Sequence, residues 1–321
     1  HLKTAKSIAI ARRMVTGAHG PATVSTLNEA EAFARAGITD ITYAVGISPQ
    51  KIVRVQALLR QGVNLTVLLD SVEQAEAVAA ASRQDVTIPA LIELDCDGHR
   101  SGVHCDDHEK LLAIAQTLHA SGNLRGVLTH AGESYTAINR EALVAAAENE
   151  RASAVRAAEI LRHAGHGCPV VSIGSTPTAL FAENYDGITE VRAGVFAFFD
   201  LVQAGLGVCS PQDIAVSVLA TVIGHQHEKG WTIIDAGWAA LSSDRGTESQ
   251  SVDQGYGLVC DLEGNIMHGL FVANANQEHG IIARRADFQA ASNQIGYTHA
   301  RYSKECKMTA NHYDFIAIGG G

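Results

Sequence analysis

Apolar positions up to about residue 208 follow two periods in turn. Short β-branched or aliphatic runs read as buried strands: Ala22–Thr26, Asp40–Val45, Asn64–Asp70, Ala90–Asp95, Gly126–Thr129, Pro169–Ile173 and Thr189–Arg192. Between them lie Ala-rich segments whose apolar residues recur three or four apart, the spacing of one helix face: Asn28–Ala36, Pro49–Gln61, Val72–Ser82, His108–Ser121, Arg140–Ala164 and Pro177–Glu183.

Strands that alternate with helices imply a parallel sheet. A further strand ending at Lys3, within His1-Leu2-Lys3-Thr4-Ala5-Lys6-Ser7, brings the count to eight and predicts an α/β fold of the (β/α)8 TIM-barrel type. The alternative is an open doubly wound sheet, but no GxGxxG follows an early strand. After about Cys209 the helical period disappears. Asp213–His225, Trp231–Asp235, Gly255–Asp261 and Gly269–Ala273 read as strands joined by polar turns, a C-terminal all-β domain. The expected organisation is a barrel over 1–208, a β domain over 209–284 and a tail over 285–321. A strand ending at Lys3 must begin upstream and residue 1 is not Met, so the barrel is expected to lack its N-terminal piece and the β domain to be incomplete. The 321-residue chain expressed alone is expected to be inactive or poorly folded.

Composition narrows the functional classes. With 46% apolar residues the chain can bury a large core. With 18% charged residues and a net charge of −10 it lacks the basic footprint of a nucleic-acid binder. No apolar run approaches the roughly 18 residues of a membrane span, and no signal peptide is visible, so the expectation is a cytoplasmic enzyme of small molecules. Cys96, Cys105, Cys168, Cys209, Cys260 and Cys306 show no CxxC spacing and read as reduced thiols rather than a zinc ribbon.

Barrel active sites gather at the C-terminal ends of the strands. Those ends supply Lys3, then Asp95-Cys96-Asp97-Gly98-His99-Arg100, then His130 with Tyr135 just beyond, then Gly174-Ser175-Thr176, then Gly194-Val195. The Gly-Ser-Thr turn offers amides and two hydroxyls to an anion, and the glycine turn after the last strand offers more; loops after strands seven and eight are the usual phosphate site of such barrels. The turn alone also fits an ordinary helix cap. A lysine opposite a phosphate cradle suggests pyridoxal 5'-phosphate (PLP), held by Lys3 as a Schiff base. Arg100 could donate to the ring oxygen, His130 could stack on the ring and Tyr135 could reach its nitrogen. A surface arginine, a core histidine and a packed tyrosine are the plain alternatives.

The motifs HLKTAKS, VSTLNEAEAF, ELDCDGHRSGV, LTHAGESY, VSIGSTPTAL, EVRAGVFAFFDL, DAGWAALSSDRG and NQEHG resemble fold-type III PLP enzymes of the D-threonine aldolase and D-serine dehydratase group, from residue 1 to about Ile282. The resemblance implies an alanine-racemase-like barrel with a β domain. It implies a Schiff base on Lys3, ring contacts from Arg100, His130 and Tyr135, and phosphate contacts from Gly174–Thr176 and Gly194–Val195. Family members often have Tyr where this chain has Phe196, so a hydroxyl contact there is lost. The implied activity is the ammonia-releasing dehydration of a D-β-hydroxy amino acid such as D-threo-3-hydroxyaspartate or D-serine. The alternative is retro-aldol cleavage to glycine and an aldehyde. An alternative of another class is a non-catalytic PLP-binding homeostasis protein, against which the β domain argues. A homodimer is implied, as is a divalent metal (Zn, or Mn/Mg) that polarises the β-hydroxyl. The usual metal motif, like PNHACAT, is absent; His312 and Asp314 retain only its spacing. The tail to Gly321 resembles the start of a flavin disulfide reductase.

Overall fold

The computed structural model describes residues 1–285 and, as backbone, the strand Asp314–Gly319. The chain divides into two compact units, His1–Ala197 and Phe198–Gly321.

In the first unit the parallel strands are β1 (Ala22–Val24), β2 (Asp40–Gly46), β3 (Asn64–Leu69), β4 (Ala90–Asp95), β6 (Leu124–Thr129), β7 (Val170–Ile173) and β8 (Glu190–Val191), hydrogen-bonded in that order, with the short β5 (Val103–His104) paired to β4. Helices α1 (Ile8–Met14), α2 (Leu27–Arg35), α3 (Ile52–Arg60), α4 (Val72–Gln84), α5 (His108–Ala120), α6 (Arg140–His163) and α7 (Thr176–Phe181) complete it. Most begin where the sequence supplies a capping side chain. Thr26 accepts from Glu29 N, Ser71 from Gln74 N, Asp107 from Lys110 N and Asn139 from Ala142 N.

Alternate strand residues point to opposite faces. Outward residues such as Ile41, Val67, Leu69, Ile92, Val127 and Val171 form one buried cluster with Leu27, Val55, Val78, Ile114 and Leu161 of the helices. Inward residues make a single small apolar layer, Leu68, Leu91 and Leu128, with Ala44 and Val170 against it. Above that layer the inward positions turn polar, with Asp70, Glu93, Ser172, Glu190 and Arg192.

Two details differ from the sequence reading. Lys3 does not end a strand: residues 2–5 form a turn closed by Lys6 N donating to Leu2 O (3.0 Å), with Lys6 at a left-handed φ of 46°. Only Leu2 N reaches the sheet, donating to Thr23 O (2.8 Å), while the amine of His1 donates to Ala193 O (2.5 Å). Leu2 thus touches β1, and His1 N the segment just after β8. The second detail is α1, which the pattern did not announce because Ser7 makes no side-chain cap bond.

The second unit holds the short helix α8 (Leu201–Gly205), then antiparallel strands β9 (Val218–Gln226) and β10 (Trp231–Ile234), helix α9 (Trp238–Leu241), and strands β11 (Gly257–Cys260), β12 (Ile266–Ala275), β13 (Gly280–Arg284) and β14 (Asp314–Gly319). They close in the order β10-β13-β12-β11-β14-β9 around Ala220, Ile234, Val259, Val272 and Ile282. The segment read as a strand from Asp213 to His225 starts only at Val218, because Ser210 caps a 3-10 turn over Pro211–Asp213. The apolar run of the tail likened to the start of a flavin disulfide reductase is β14, paired on one side with β11 and on the other with β9. A parallel α/β unit followed by an antiparallel all-β unit is the architecture the sequence predicts.

Candidate active site

The polar side chains gather where the strands of the first unit end. The loop after β4 carries Arg100. It is pinned at two points: Gly102 N donates to Asp70 Oδ2 (2.9 Å), and the Ser101 hydroxyl donates to Glu93 Oε2 (3.3 Å). The Arg100 stem lies over Gly132, where an added Cβ would come within 2.9 Å of its Cδ. Glycine at 132 thus lets the loops after β4 and β6 approach each other. Asp97 adds a tie, accepting from Glu133 N (2.9 Å).

His130 follows β6. Its Nδ1 lies 2.6 Å from Gly174 O. A carbonyl only accepts, so Nδ1 carries the proton and Nε2 keeps a free lone pair. Burial pushes the imidazole pKa down to about 4, opposed by the Gly174 bond and aided by the charges of Arg192, Arg100 and Lys3. The fields of these three cations meet at a neutral histidine. Tyr135 sits beside it, ring centroids 6.3 Å apart.

Gly174 has φ +140°, and a Cβ there would fall 2.0 Å from Arg192 O; only glycine fits between β7 and β8 at this height. Ser175 is spent internally, since its Oγ accepts from Thr178 N in a capping box and lies 3.0 Å from Ser134 Oγ. Thr176 faces the other way. Its buried Oγ1 accepts long bonds of 3.3 Å from Gly194 N and from Phe196 N. Gly194 also lies against the first turn: a Cβ there would meet His1 O at 2.7 Å and Thr4 Oγ1 at 3.3 Å. Val195 opens the 3-10 turn Val195–Ala197 that follows.

The structure thus links Arg100, His130, Tyr135, Gly174, Ser175, Thr176, Gly194 and Val195 through successive contacts, with Lys3 close enough to act on His130. His312 lies outside the described residues, and for Asp314 only the backbone is described. Among the described residues no three His, Cys, Asp or Glu side chains are grouped to hold a metal.

Sequence reasoning gave no role to three groups beneath this surface. Arg192 is 6% exposed; its Nε donates to Ser172 Oγ (2.8 Å), its Nη2 to Thr129 O, and Glu190 lies 3.8 Å away. Burial pulls its pKa down, while Glu150, Glu190 and Glu93 hold it up. Glu93 is pushed up to about 7, first by burial and then by the charge of Asp70. Glu150, in the middle of α6, is completely buried. Strand alternation places Glu93 and Arg192 inward, and the α6 apolar stripe places Glu150 between Ala147 and Ala154, so each was detectable as a charge at a core position.

Two family models match the chain: the alanine racemase N-terminal domain over residues 2–202, and the putative serine dehydratase domain over residues 215–318. D-threo-3-hydroxyaspartate dehydratase from Delftia sp. (strain HT23) is 56% identical over 286 residues, 88% of this chain and 75% of that protein. D-serine dehydratase from Dictyostelium discoideum is 28% identical, over 77% of this chain and 67% of its own. A solved structure of a cysteine-to-alanine variant of D-threo-3-hydroxyaspartate dehydratase, described as the metal-free form, superposes with a TM-score of 0.89 at 51% identity, covering 99% of this chain and 81% of the other.

Proposed function

The chain belongs to the fold-type III, alanine-racemase-like family of PLP-dependent lyases, and from that premise we propose that it dehydrates a D-β-hydroxy amino acid, releasing ammonia and an oxo acid. The substrate class follows the similarity to D-threo-3-hydroxyaspartate dehydratase. One observation carries the site assignment: the buried, neutral His130 bonded to Gly174 O, with the charges of Arg192, Arg100 and Lys3 all acting on it.

The residues present fit PLP. Gly194 N and Phe196 N share one acceptor, Thr176 Oγ1, at a long 3.3 Å each, so a phosphate placed beside it would draw both amides and the Thr176 hydroxyl proton, and glycine at 174 and 194 lets these backbone segments approach closely. In this proposal Gly174–Thr176 and Gly194–Val195 hold the phosphate, Arg100 donates to the ring oxygen, and His130 and Tyr135 fix the ring. When bound, PLP supplies a sink for the electron pair left at Cα. Lys3 anchors the group, and its Nζ then takes the α-proton. His130 stays uncharged at neutral pH and adds no further cation beside Lys3 and Arg100. The loop ties to Asp70 and Glu93 hold Arg100 over the mouth.

A divalent metal assisting hydroxide loss belongs to the proposal, on the His312 and Asp314 spacing and on the metal-free form in which the D-threo-3-hydroxyaspartate dehydratase variant was solved. A homodimer in the cytoplasm completes the reading. No helix among the described residues is long and apolar enough to cross a membrane.

The test is product analysis with D-threo-3-hydroxyaspartate, D-serine and D-threonine. Ammonia and an oxo acid are expected. Glycine as the major product would replace dehydration by retro-aldol cleavage, and PLP binding without turnover would leave only a cofactor-binding protein.

A further inference from the structure

Helix α6 runs 24 residues along the outside of the strands, and its buried stripe is Leu143, Ala147, Glu150, Ala154, Ala158 and Leu161. One member of that apolar series is a carboxylate with no exposed surface. No lysine or arginine among the described residues forms an ion pair with it. Three donors from the two adjoining loops converge on it instead. Oε1 accepts from Ala131 N (2.8 Å) and Gly174 N (3.0 Å), and Oε2 accepts from Thr178 Oγ1 (2.7 Å). Ala131 follows His130; Gly174 begins the Gly-Ser-Thr turn.

We propose that Glu150 is a positioning residue of the active site, locking the loop after β6 to the loop after β7 and so fixing the distance between His130 and the Gly174–Thr176 turn. What that distance serves rests on the PLP reading above. The geometry supports a fixing role in two ways. A single oxygen takes both amides, so neither loop can shift without breaking a bond in a site closed to replacement water. The anchor is a long helix, and the side chain issues from its middle, where the backbone is stiffest.

The carboxylate also decides where the hydroxyl protons point. It only accepts, so the Thr178 hydroxyl must donate to it. The Ser134 hydroxyl donates to Ala131 O (2.8 Å), so the Ser175 hydroxyl is left to donate to Ser134 or Thr178. Ser175 therefore has no proton to offer a ligand. Of the turn's two hydroxyls, that of Thr176 is the one left to donate. A glutamine at 150 preserves the tie between the loops, with its oxygen on the two amides and its amide group donating to Thr178 Oγ1, whose own proton then turns to Ser175. A shorter or apolar side chain does not.

The test measures hydrogen exchange at Ala131 and Gly174 in the cofactor-free protein, alongside the Kd for added PLP. Glu150→Gln is expected to match the parent in both. Glu150→Ala is expected to speed exchange at both amides about tenfold or more, the size of one charge-assisted hydrogen bond, and to weaken PLP about tenfold, while exchange at the outward strand residues Val67 and Ile92 stays unchanged. If Glu150→Ala does not fold, Glu150→Asp replaces it and is expected to free at least one of the two amides. Unchanged exchange in the folded variant overturns the lock. Faster exchange with an unchanged Kd overturns its role in the site and leaves it a packing device. If the parent itself binds no PLP, the proposed function fails, and the two amides still decide whether Glu150 locks the loops.

Discussion

The two faces of the parallel sheet are made by the same strands and obey opposite rules. Residues pointing out toward the helices are mostly apolar, from Ile41 through Leu69 and Ile92 to Val171. Residues pointing inward are apolar for one layer only, and then Asp70, Glu93, Ser172, Glu190 and Arg192 take over. The outer face is tolerant chemistry: area removed from water stabilises it, and no single contact is irreplaceable. The inner face is discrete. Each charge there is matched by a named partner, Arg192 by Ser172, Thr129 and Glu190, and Glu93 by Ser101. Stability is thus stored outside, and geometry inside.

The largest effect that can sharpen this contrast is on activity alone. Lys3→Ala should lower ammonia release by about a thousandfold or more, the range of a lost acid–base group, and abolish the yellow colour of the cofactor-bound protein. The thermal midpoint should barely move, since the Lys3 side chain is exposed. A large fall in midpoint would show the two faces are not separable at this position.

On the outer face, Ile92→Ala should cost about 2–5 kcal/mol in denaturant unfolding, because a fully buried side chain leaves a cavity. The residual folded protein should keep the parent's Kd for PLP. A changed Kd would mean the core transmits to the mouth.

The inner face should be visible in the pH dependence of stability. Glu93 is held up to about 7, so between the ordinary carboxyl range and pH 7 the folded chain keeps a proton that the unfolded chain has released. Its contribution therefore falls as pH rises, by about 3 kcal/mol in all. His130 is pushed down to about 4, so between that pH and about 6.5 the unfolded chain binds the extra proton. Its contribution rises with pH, by a similar ~3 kcal/mol. The two oppose each other across the same window, and the parent should be nearly flat there. Glu93→Gln should leave a stability that climbs with pH, and His130→Asn one that declines. Urea titrations at a series of pH values would show this; parallel slopes in both variants would refute the assignment.

The smallest expected effect is Ser101→Ala, which removes one bond to Glu93 and should cost about 1 kcal/mol or less while weakening PLP a few-fold through the Arg100 loop. An effect confined to stability would detach that loop from the cofactor.

The outer face was the legible part of the sequence. Period-two apolar runs located Asp40, Asn64 and Ala90 as strand starts, because burial on that face needs nothing but hydrophobicity. The missed helix α1 has no capping bond, and the missed β13 is five residues long with a Gly start and an Arg end. At the site, the residues that face the mouth were readable from their places after the strands and from the resemblance to a family. Their supports were detectable only as charges at core positions, without their partners. Glu150 reads as an interruption in an alanine-rich helix until Ala131 and Gly174, distant in sequence, are seen to meet on it. Ser175 was read as offering its hydroxyl, and only the spatial neighbour Ser134 shows where that hydroxyl goes.

Gly174 has a consequence for which substitutions the site accepts. Its φ of +140° and its approach to Arg192 O leave no place for a side chain, and its amide and carbonyl are already taken by Glu150 and His130. A library randomised at position 174 should therefore return glycine alone, whatever property is selected. The same library at Val53, exposed on α3, should accept most residues.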